Sequence, residues 1–146
     1  MTRELDEKLC AKYPKIFVNR HGDMQTTCMC WGFECGDGWY WLIDRLCSNL
    51  QFNTDNNNSG SNEGRYPQVV ASQVKEKFGG LRFYVEGASE PQHAVISFAE
   101  SLSYHICEKC GTTKNVGHTQ QGWISTLCEE CKGDAPGWVK DNDIIE

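Results

Sequence analysis

Two Cys-x-x-Cys pairs constrain what the C-terminal part of this chain can fold into. The pairs are Cys107/Cys110 and Cys128/Cys131. Two residues between cysteines allow a tight turn to aim both sulfurs at one ion, and two such turns complete a tetrahedron of ligands. Gly111 follows the first pair and supplies the positive φ that such a turn often needs. The spacing therefore predicts a four-cysteine zinc site.

A zinc ion held by four thiolates has no coordination position left for water, so it cannot activate a nucleophile. His105 and His118 lie nearby in the sequence, but the four cysteines suffice without them. A redox role is less favoured, because no βαβ pattern surrounds either pair. The predicted zinc is structural, and it folds a segment that is too short to fold alone.

Composition sets the broad class of protein. The chain has 146 residues, of which 39% are hydrophobic and 23% are charged, which is typical of one globular domain. No apolar run approaches the roughly 18 residues that cross a bilayer, and the first ten residues lack a signal-peptide core. We therefore expect a cytoplasmic protein with no membrane partner, in which nine cysteines favour metal over disulfides.

The net charge bears on possible partners. It is −6 with neutral thiols, and one zinc with four thiolates would lower it to about −8. Such a charge opposes non-specific attraction to a phosphate backbone.

Two helices are predicted in the N-terminal part. The first covers residues 3–12 and ends before Pro14. The second starts at Asp37 as N-cap. Its apolar stripe consists of Trp39, Leu42, Ile43, Leu46 and Leu50. Residues 53–65 are polar and rich in turn formers, which predicts a long exposed loop.

A β-hairpin is the strongest strand signal in the chain. Two β-prone runs flank Gly79-Gly80, which predicts a two-residue turn. Val70, Val74 and Phe78 share one face of the first strand. Leu81, Phe83 and Val85 alternate along the second strand.

The last predicted helix begins at a capping box, Ser89 to Gln92, with Pro91 in its first turn. Its expected apolar stripe is Ala94, Val95, Phe98, Ala99 and Leu102. We thus predict an α+β protein, with a small antiparallel sheet or hairpin packed by two or three helices. The body covers 1–104, a C-terminal four-cysteine zinc ribbon covers 105–135, and a tail covers 136–146.

Two further groups of residues are functional candidates. Cys28, Cys30 and Cys35 could form part of a second metal site with His21 or Cys10, although cysteines beside core aromatics are a common accident. Cys47 falls on the apolar face of the second helix and is expected in the core.

The glycine-flanked turn at residues 35–39 could hold an anion at a helix N-terminus, but a simple helix entry is favoured. Tyr40 and Trp41 lie off the core stripe. Together with Asp37 and Arg82, they are our candidate binding surface.

Three blocks, CGDGWYWLIDRLC, VKEKFGGLRFYVEG and CEKCG…GWISTLCEEC, carry a family resemblance. Their order and spacing resemble small zinc-ribbon-containing proteins of bacteria and phages, over most of residues 31–132. The resemblance implies a cytoplasmic protein of bacterial or phage origin and no particular activity. Members of that group often have a histidine in place of the last metal cysteine, and Cys28, Cys30 and the Asn-rich loop lie outside their pattern.

Three classes of function remain. The favoured class is a non-enzymatic protein-binding or regulatory factor, such as a phage protein that acts on a host or defence protein. A nucleic-acid-binding zinc ribbon is the alternative. Its only candidate basic strip is Lys75, Lys77 and Arg82, which strand alternation is expected to split. A small-anion or nucleotide binder that uses Asp37 with Arg20, His21 or Arg82 is the second alternative, without an assignable nucleophile and base.

Overall fold

The computed structural model describes residues 1–141 and shows an α+β fold, as predicted. Three α-helices are present in this part of the chain, namely α1 (Arg3–Lys12), α2 (Tyr40–Asn56) and α3 (Glu90–Ser103). One sheet contains β1 (Phe33–Glu34), β2 (Val70–Lys77) and β3 (Gly80–Glu86), and a second contains β4 (Val116–His118), β5 (Thr126–Cys128) and β6 (Val139–Lys140). None of these three helices of residues 1–141 is long and apolar enough to span a bilayer.

The first sheet has the order β1-β2-β3 and is mixed. β2 and β3 form the predicted antiparallel hairpin, whereas the two-residue β1 pairs with β2 in parallel. The core lies on one face of this sheet, and α2 contributes its largest member, the fully buried Trp39 at its N-cap. Phe17 packs across the sheet between its two outer strands, because its ring lies edge-on against Phe33 of β1 and Phe83 of β3.

The start of α2 differs from the prediction. Asp37 does not cap the helix, because its carboxylate accepts the backbone N–H of Thr2 at 2.6 Å. A short 3₁₀ turn, Asp37–Trp39, comes first, and α2 begins at Tyr40. The other end also differs from the exposed loop expected over 53–65, since α2 continues through Asn56 before turns and a further 3₁₀ segment, Gly60–Asn62.

The hairpin turn lies one residue earlier than predicted. Lys77 pairs with Gly80, so the two turn residues are Phe78 and Gly79, both with positive φ (53° and 83°). A bulge between Ala71 and Gln73 shifts the β2 register, and it places Ala71 and Val74 in the core. The prediction that Phe78 shares a face of the first strand with Val70 and Val74 is wrong, because Phe78 lies in the turn and its side chain is 65% exposed.

Helix α3 begins at the predicted capping box, in which the Gln92 side chain accepts the Ser89 backbone N–H at 2.9 Å. Its buried face is different from the predicted stripe and consists of Gln92, Ile96, Ala99 and Ser103. Phe98 is 65% exposed and Leu102 is also at the surface. The hydroxyl of Ser103 accepts the backbone N–H of Leu81, so α3 covers the outer edge of β3.

The second sheet forms the predicted ribbon and has the order β5-β4-β6. Its third strand comes from the predicted tail over 136–146, where Val139–Lys140 pairs with β4. His118 on β4 also contacts Asp141 through Nδ1 at 2.8 Å. Residues 142–146 of that predicted tail lie outside the described part of the chain.

Replacing Phe78 with Asn should stabilise the protein. An L-phenylalanine in the left-handed region is strained, whereas Asn-Gly is the preferred pair for such a two-residue turn. Little burial is lost, because the ring is 65% exposed. We expect the free energy of unfolding to rise by about 0.5–1 kcal/mol in denaturant titrations.

Phe98→Asn is the matched control, because Phe98 is also 65% exposed but lies within a helix. Asn and Phe have similar helix propensities, so this variant should change the free energy of unfolding by less than about 0.5 kcal/mol. Equal effects of both changes would contradict a turn-specific strain.

Candidate metal centre

The first cysteine turn consists of Cys107 to Gly111. The backbone N–H of Gly111 donates to the carbonyl of Cys107 at 2.8 Å, and Cys107 N–H donates to Thr112 O at 2.9 Å. Gly111 has φ +81°, as the sequence predicted. A side chain there would be strained, so the glycine allows the chain to turn back immediately after Cys110.

The second cysteine turn follows β5. The carbonyl of Cys128 accepts the N–H groups of Cys131 and Lys132 at 3.1 and 2.9 Å. The strand pairing places Cys128 opposite Val116 on β4. The position of this turn therefore depends on the ribbon hairpin.

The two turns bring four sulfurs together. All four Sγ atoms lie within 4.8 Å of one another, and those of Cys110 and Cys128 are 3.7 Å apart. A tetrahedral ion with metal–sulfur bonds of about 2.3 Å requires sulfur pairs about 3.8 Å apart. The donor set therefore fits one tetrahedral metal ion. Cys107 and Cys128 are buried, whereas Cys110 is exposed.

The pKa differs from one thiol of the cluster to the next. Burial alone would raise the pKa of Cys107, but backbone N–H groups of Cys110, Cys128 and Lys109 point at its sulfur and lower the pKa to about 7. The pKa of Cys131 rises to about 12 through burial and its sulfur neighbours. The Cys107 thiolate thus forms readily, whereas Cys110 and Cys131, whose pKa values are raised, require a cation to offset the accumulating negative charge.

The first cysteine turn lies directly against the glycine turn that precedes α2. Gly38 N–H donates to the carbonyl of Glu108 at 2.7 Å, and Gly36 N–H donates to the Glu108 carboxylate at 2.9 Å. A Cβ at Gly38 would overlap the Cys107 carbonyl oxygen. Only glycine allows the two backbones to approach this closely.

Two aromatic side chains add to this contact between body and ribbon. The indole N–H of Trp39 donates to the Ile106 carbonyl at 2.9 Å from a fully buried position. The indole N–H of Trp123, on the ribbon, donates to the Glu76 carboxylate on β2 at 3.1 Å. The ribbon is therefore held at both the α2 turn and the hairpin.

The hairpin turn provides the third contact with the ribbon. The hydroxyl of Thr126 on β5 donates to the carbonyl of Gly79. Thr126 also accepts the N–H of Glu108 through its own carbonyl, at 3.0 Å. Because Thr126 is fully buried, these bonds form away from water, where losing one partner is costly.

The sequence predicted the four cysteines but missed the residues that hold the ribbon on the body, chiefly Ile106, Glu108 and Thr126. The only available signal was the glycine content of the CGDGW and FGGL stretches. Such glycines indicate a turn or a close approach of two backbones, but they do not show which residue lies on the other side of the contact.

The residues of the expected binding surface do not form one free surface, because several of them contact other parts of the chain. Trp41 is 65% exposed, whereas Tyr40 is half-buried and packs against the core. Asp37 accepts from Thr2, and the guanidinium of Arg82 donates to the Tyr104 hydroxyl at 3.2 Å. Trp41 is thus the member of this set that is most available to a partner.

The other cysteines are not gathered into a second site. Within residues 1–141, the group of three or more metal-binding side chains that lies close together is the four-cysteine cluster. Cys10 instead contacts Asp6 at 3.6 Å, Cys35 is buried with a pKa raised to about 12 by that burial, and Cys47 is in the core as expected. Cys28 and Cys30 lie in a 3₁₀ turn, Cys28–Trp31.

The backbone donors that the anion-binding alternative needs are already engaged within the chain. It requires free backbone N–H groups at the turn before α2. Those of Gly36 and Gly38 are occupied by Glu108. An external anion would have to displace a carboxylate of the chain itself.

Comparison with protein-family models, with curated proteins and with solved structures gave no match to this chain. Its resemblance to zinc-ribbon proteins of bacteria and phages therefore stays a prediction from the three sequence blocks.

Removing the metal or one ligand should unfold the ribbon. We expect a chelator, or Cys128→Ser, to lower the free energy of unfolding by at least about 3 kcal/mol, because the remaining thiolates lose their shared cation. Hydrogen exchange should show protection lost over residues 105–141 and retained in β2 and β3. Cys28→Ser, which changes an exposed cysteine outside the cluster, should leave both unchanged.

The close glycine approach can be tested separately from metal binding. Gly38→Ala should cost about 2–4 kcal/mol, because the added Cβ has to displace the Cys107 carbonyl. Gly64→Ala, where a Cβ would meet nothing within 4 Å but φ is +78°, should cost only about 1 kcal/mol. Urea unfolding measures both. A Gly38→Ala protein as stable as the control would contradict the importance of this contact.

Proposed function

We propose that this protein is a non-enzymatic, protein-binding module whose fold is completed by one structural zinc ion. Zinc is the ion of choice because four thiolates in a tetrahedral arrangement suit its borderline-soft character. Four sulfurs fill its coordination shell, so the ion has no site for a substrate or an activated water. Elemental analysis of purified protein should give one zinc per chain.

The observation that carries the binding role is the exposed outer face of α2. Trp41 and Phe52 are 65% and 60% exposed. They lie about three helical turns apart on one side, with Arg45 between them at the i+4 position from Trp41. The Arg45 guanidinium is held by Asp44 at 2.6 Å.

Tryptophan and arginine dominate the binding energy of many protein interfaces, and exposed apolar groups bordered by polar residues often mark such sites. We infer that the outer face of α2 forms a protein interface centred on Trp41. The resemblance to bacterial and phage proteins makes a host or defence protein the first partner to look for.

Trp41→Ala should abolish co-purification of the partner from a bacterial lysate and leave stability within about 0.5 kcal/mol, because the side chain is mostly exposed. Phe52→Ala should weaken the capture. Quantitative mass spectrometry of tagged protein, with zinc measured on the same sample, gives the readout.

Phe98→Ala is the control, since Phe98 is equally exposed but lies on α3. It should retain the partner. Capture of the same proteins by wild type and Trp41→Ala would refute this surface.

A further inference from the structure

The sheet of β1, β2 and β3 has one face in the core and one face turned to solvent. Val74, Leu81 and Phe83 are buried on the core side. Alternation places their neighbours in sequence on the opposite side. That outer face consists chiefly of Gln73, Lys75, Lys77, Arg82 and Tyr84, none of which is buried.

The register across the hairpin gathers the basic residues of this face. Lys75 lies opposite Arg82, and Gln73 lies opposite Tyr84. Directly opposite residues point to the same side of a sheet, and Lys77 lies on that side two residues after Lys75. The expectation that alternation splits these three cations is therefore wrong for Arg82.

These cations have no direct ion pair in residues 1–141, although the Glu100 carboxylate lies near Arg82 and offsets part of its charge. Within the described part of the chain, Lys75, Lys77 and Arg82 form no salt bridge, whereas Lys12 and Arg20 are each paired with an aspartate. Arg82 donates to the neutral hydroxyl of Tyr104 and to a backbone carbonyl, so it keeps its charge. In a protein of net charge −6, this is a local reversal of sign.

Aromatic side chains border the cations. Tyr84 is 41% exposed beside Arg82, and Phe78 is 65% exposed with the Lys77 ammonium 5.6 Å from its ring centre. The Tyr104 ring covers Gly80, where any Cβ would overlap it. Cations next to exposed aromatic rings form a surface that can hold both a carboxylate and an apolar side chain.

The group of basic residues on this face extends over only a short part of the sheet. Glu34 on β1 pairs with Lys75 and so lies on the same face, and Glu86 ends β3 two residues after Tyr84. A nucleic-acid strand needs a continuous positive track for its phosphates, and these carboxylates interrupt it. A short acidic segment of a polypeptide needs only the three cations between them.

We propose that the outer face of the hairpin binds a short acidic segment of a partner protein, with carboxylates on Lys75, Lys77 and Arg82 and an apolar side chain against Tyr84. The inference rests on the proposed function in that the ligand is a polypeptide. Its surface is separate from Trp41, because α2 packs on the core side of the sheet and this face is turned away from the core.

The segment lies across the face and does not extend the sheet. The outer N–H groups of β3 are already satisfied by α3, since Leu81 donates to Ser103 at 2.8 Å and Phe83 donates to the Glu100 carboxylate. Side-chain contacts therefore have to supply the affinity and the specificity.

The test uses full-length zinc-loaded protein and synthetic 12-residue peptides that vary independently in acidic and aromatic content, with binding measured by fluorescence anisotropy. We expect acidic peptides with one aromatic residue to bind at least tenfold more tightly than neutral ones at low salt. Added salt at 0.5 M should remove most of that preference.

Lys75→Glu/Lys77→Glu should abolish the preference, and Tyr84→Ala should weaken it several-fold. Lys15→Glu/Lys114→Glu is the control, because it makes the same change of charge at two exposed lysines elsewhere. Thermal unfolding of each variant verifies that it is folded.

Three outcomes would overturn the proposal: no preference for acidic peptides, an equal loss of binding in both double variants, or tighter binding of a dT12 oligonucleotide that depends on Lys75 and Lys77. Trp41→Ala should still bind the peptides. Failure of the peptide assay with intact Trp41-dependent capture would refute this surface alone, and the reverse result would refute only the α2 surface.

Discussion

The contact between the first cysteine turn and the glycine turn before α2 is the constraint that fixes the ribbon on the body. Glu108 lies between two metal ligands, and its carbonyl and carboxylate accept the N–H groups of Gly38 and Gly36. Any shift of Cys107 or Cys110 therefore moves the start of α2. Metal binding and packing of the body are coupled through the backbone, without a flexible connection between them.

This coupling explains how so small a ribbon can be ordered. The buried cluster of the ribbon consists of Cys107, Val116 and Cys128, which is too little apolar surface to offset the conformational entropy of the segment. In the proposed zinc-bound protein the ion would contribute the local free energy, and the bonds from Trp39 and Thr126 orient the ribbon on the body.

Features set by local spacing could be predicted, whereas features set by tertiary contact could not. The cysteine pairs and the Ser89 capping box depend on residues within a few positions of each other. The hairpin turn is different, because Phe78 takes a left-handed conformation that its own preference opposes. The bonds of Gly79 and Glu76 to the ribbon select that turn, and they involve residues more than 40 positions away.

The candidate binding surfaces also combine features that local sequence predicts with features that depend on tertiary contact. Strand alternation within one strand is visible in the sequence, but the register between strands is not, so Arg82 could not be placed opposite Lys75. Sequence periodicity also cannot tell an exposed helix face from a buried one when both carry apolar residues, as Phe98 shows. Four sulfurs can fill the shell of a tetrahedral ion, and the glycine turn is occupied by Glu108. For this reason the two proposed binding surfaces are placed on the outward faces of α2 and the hairpin.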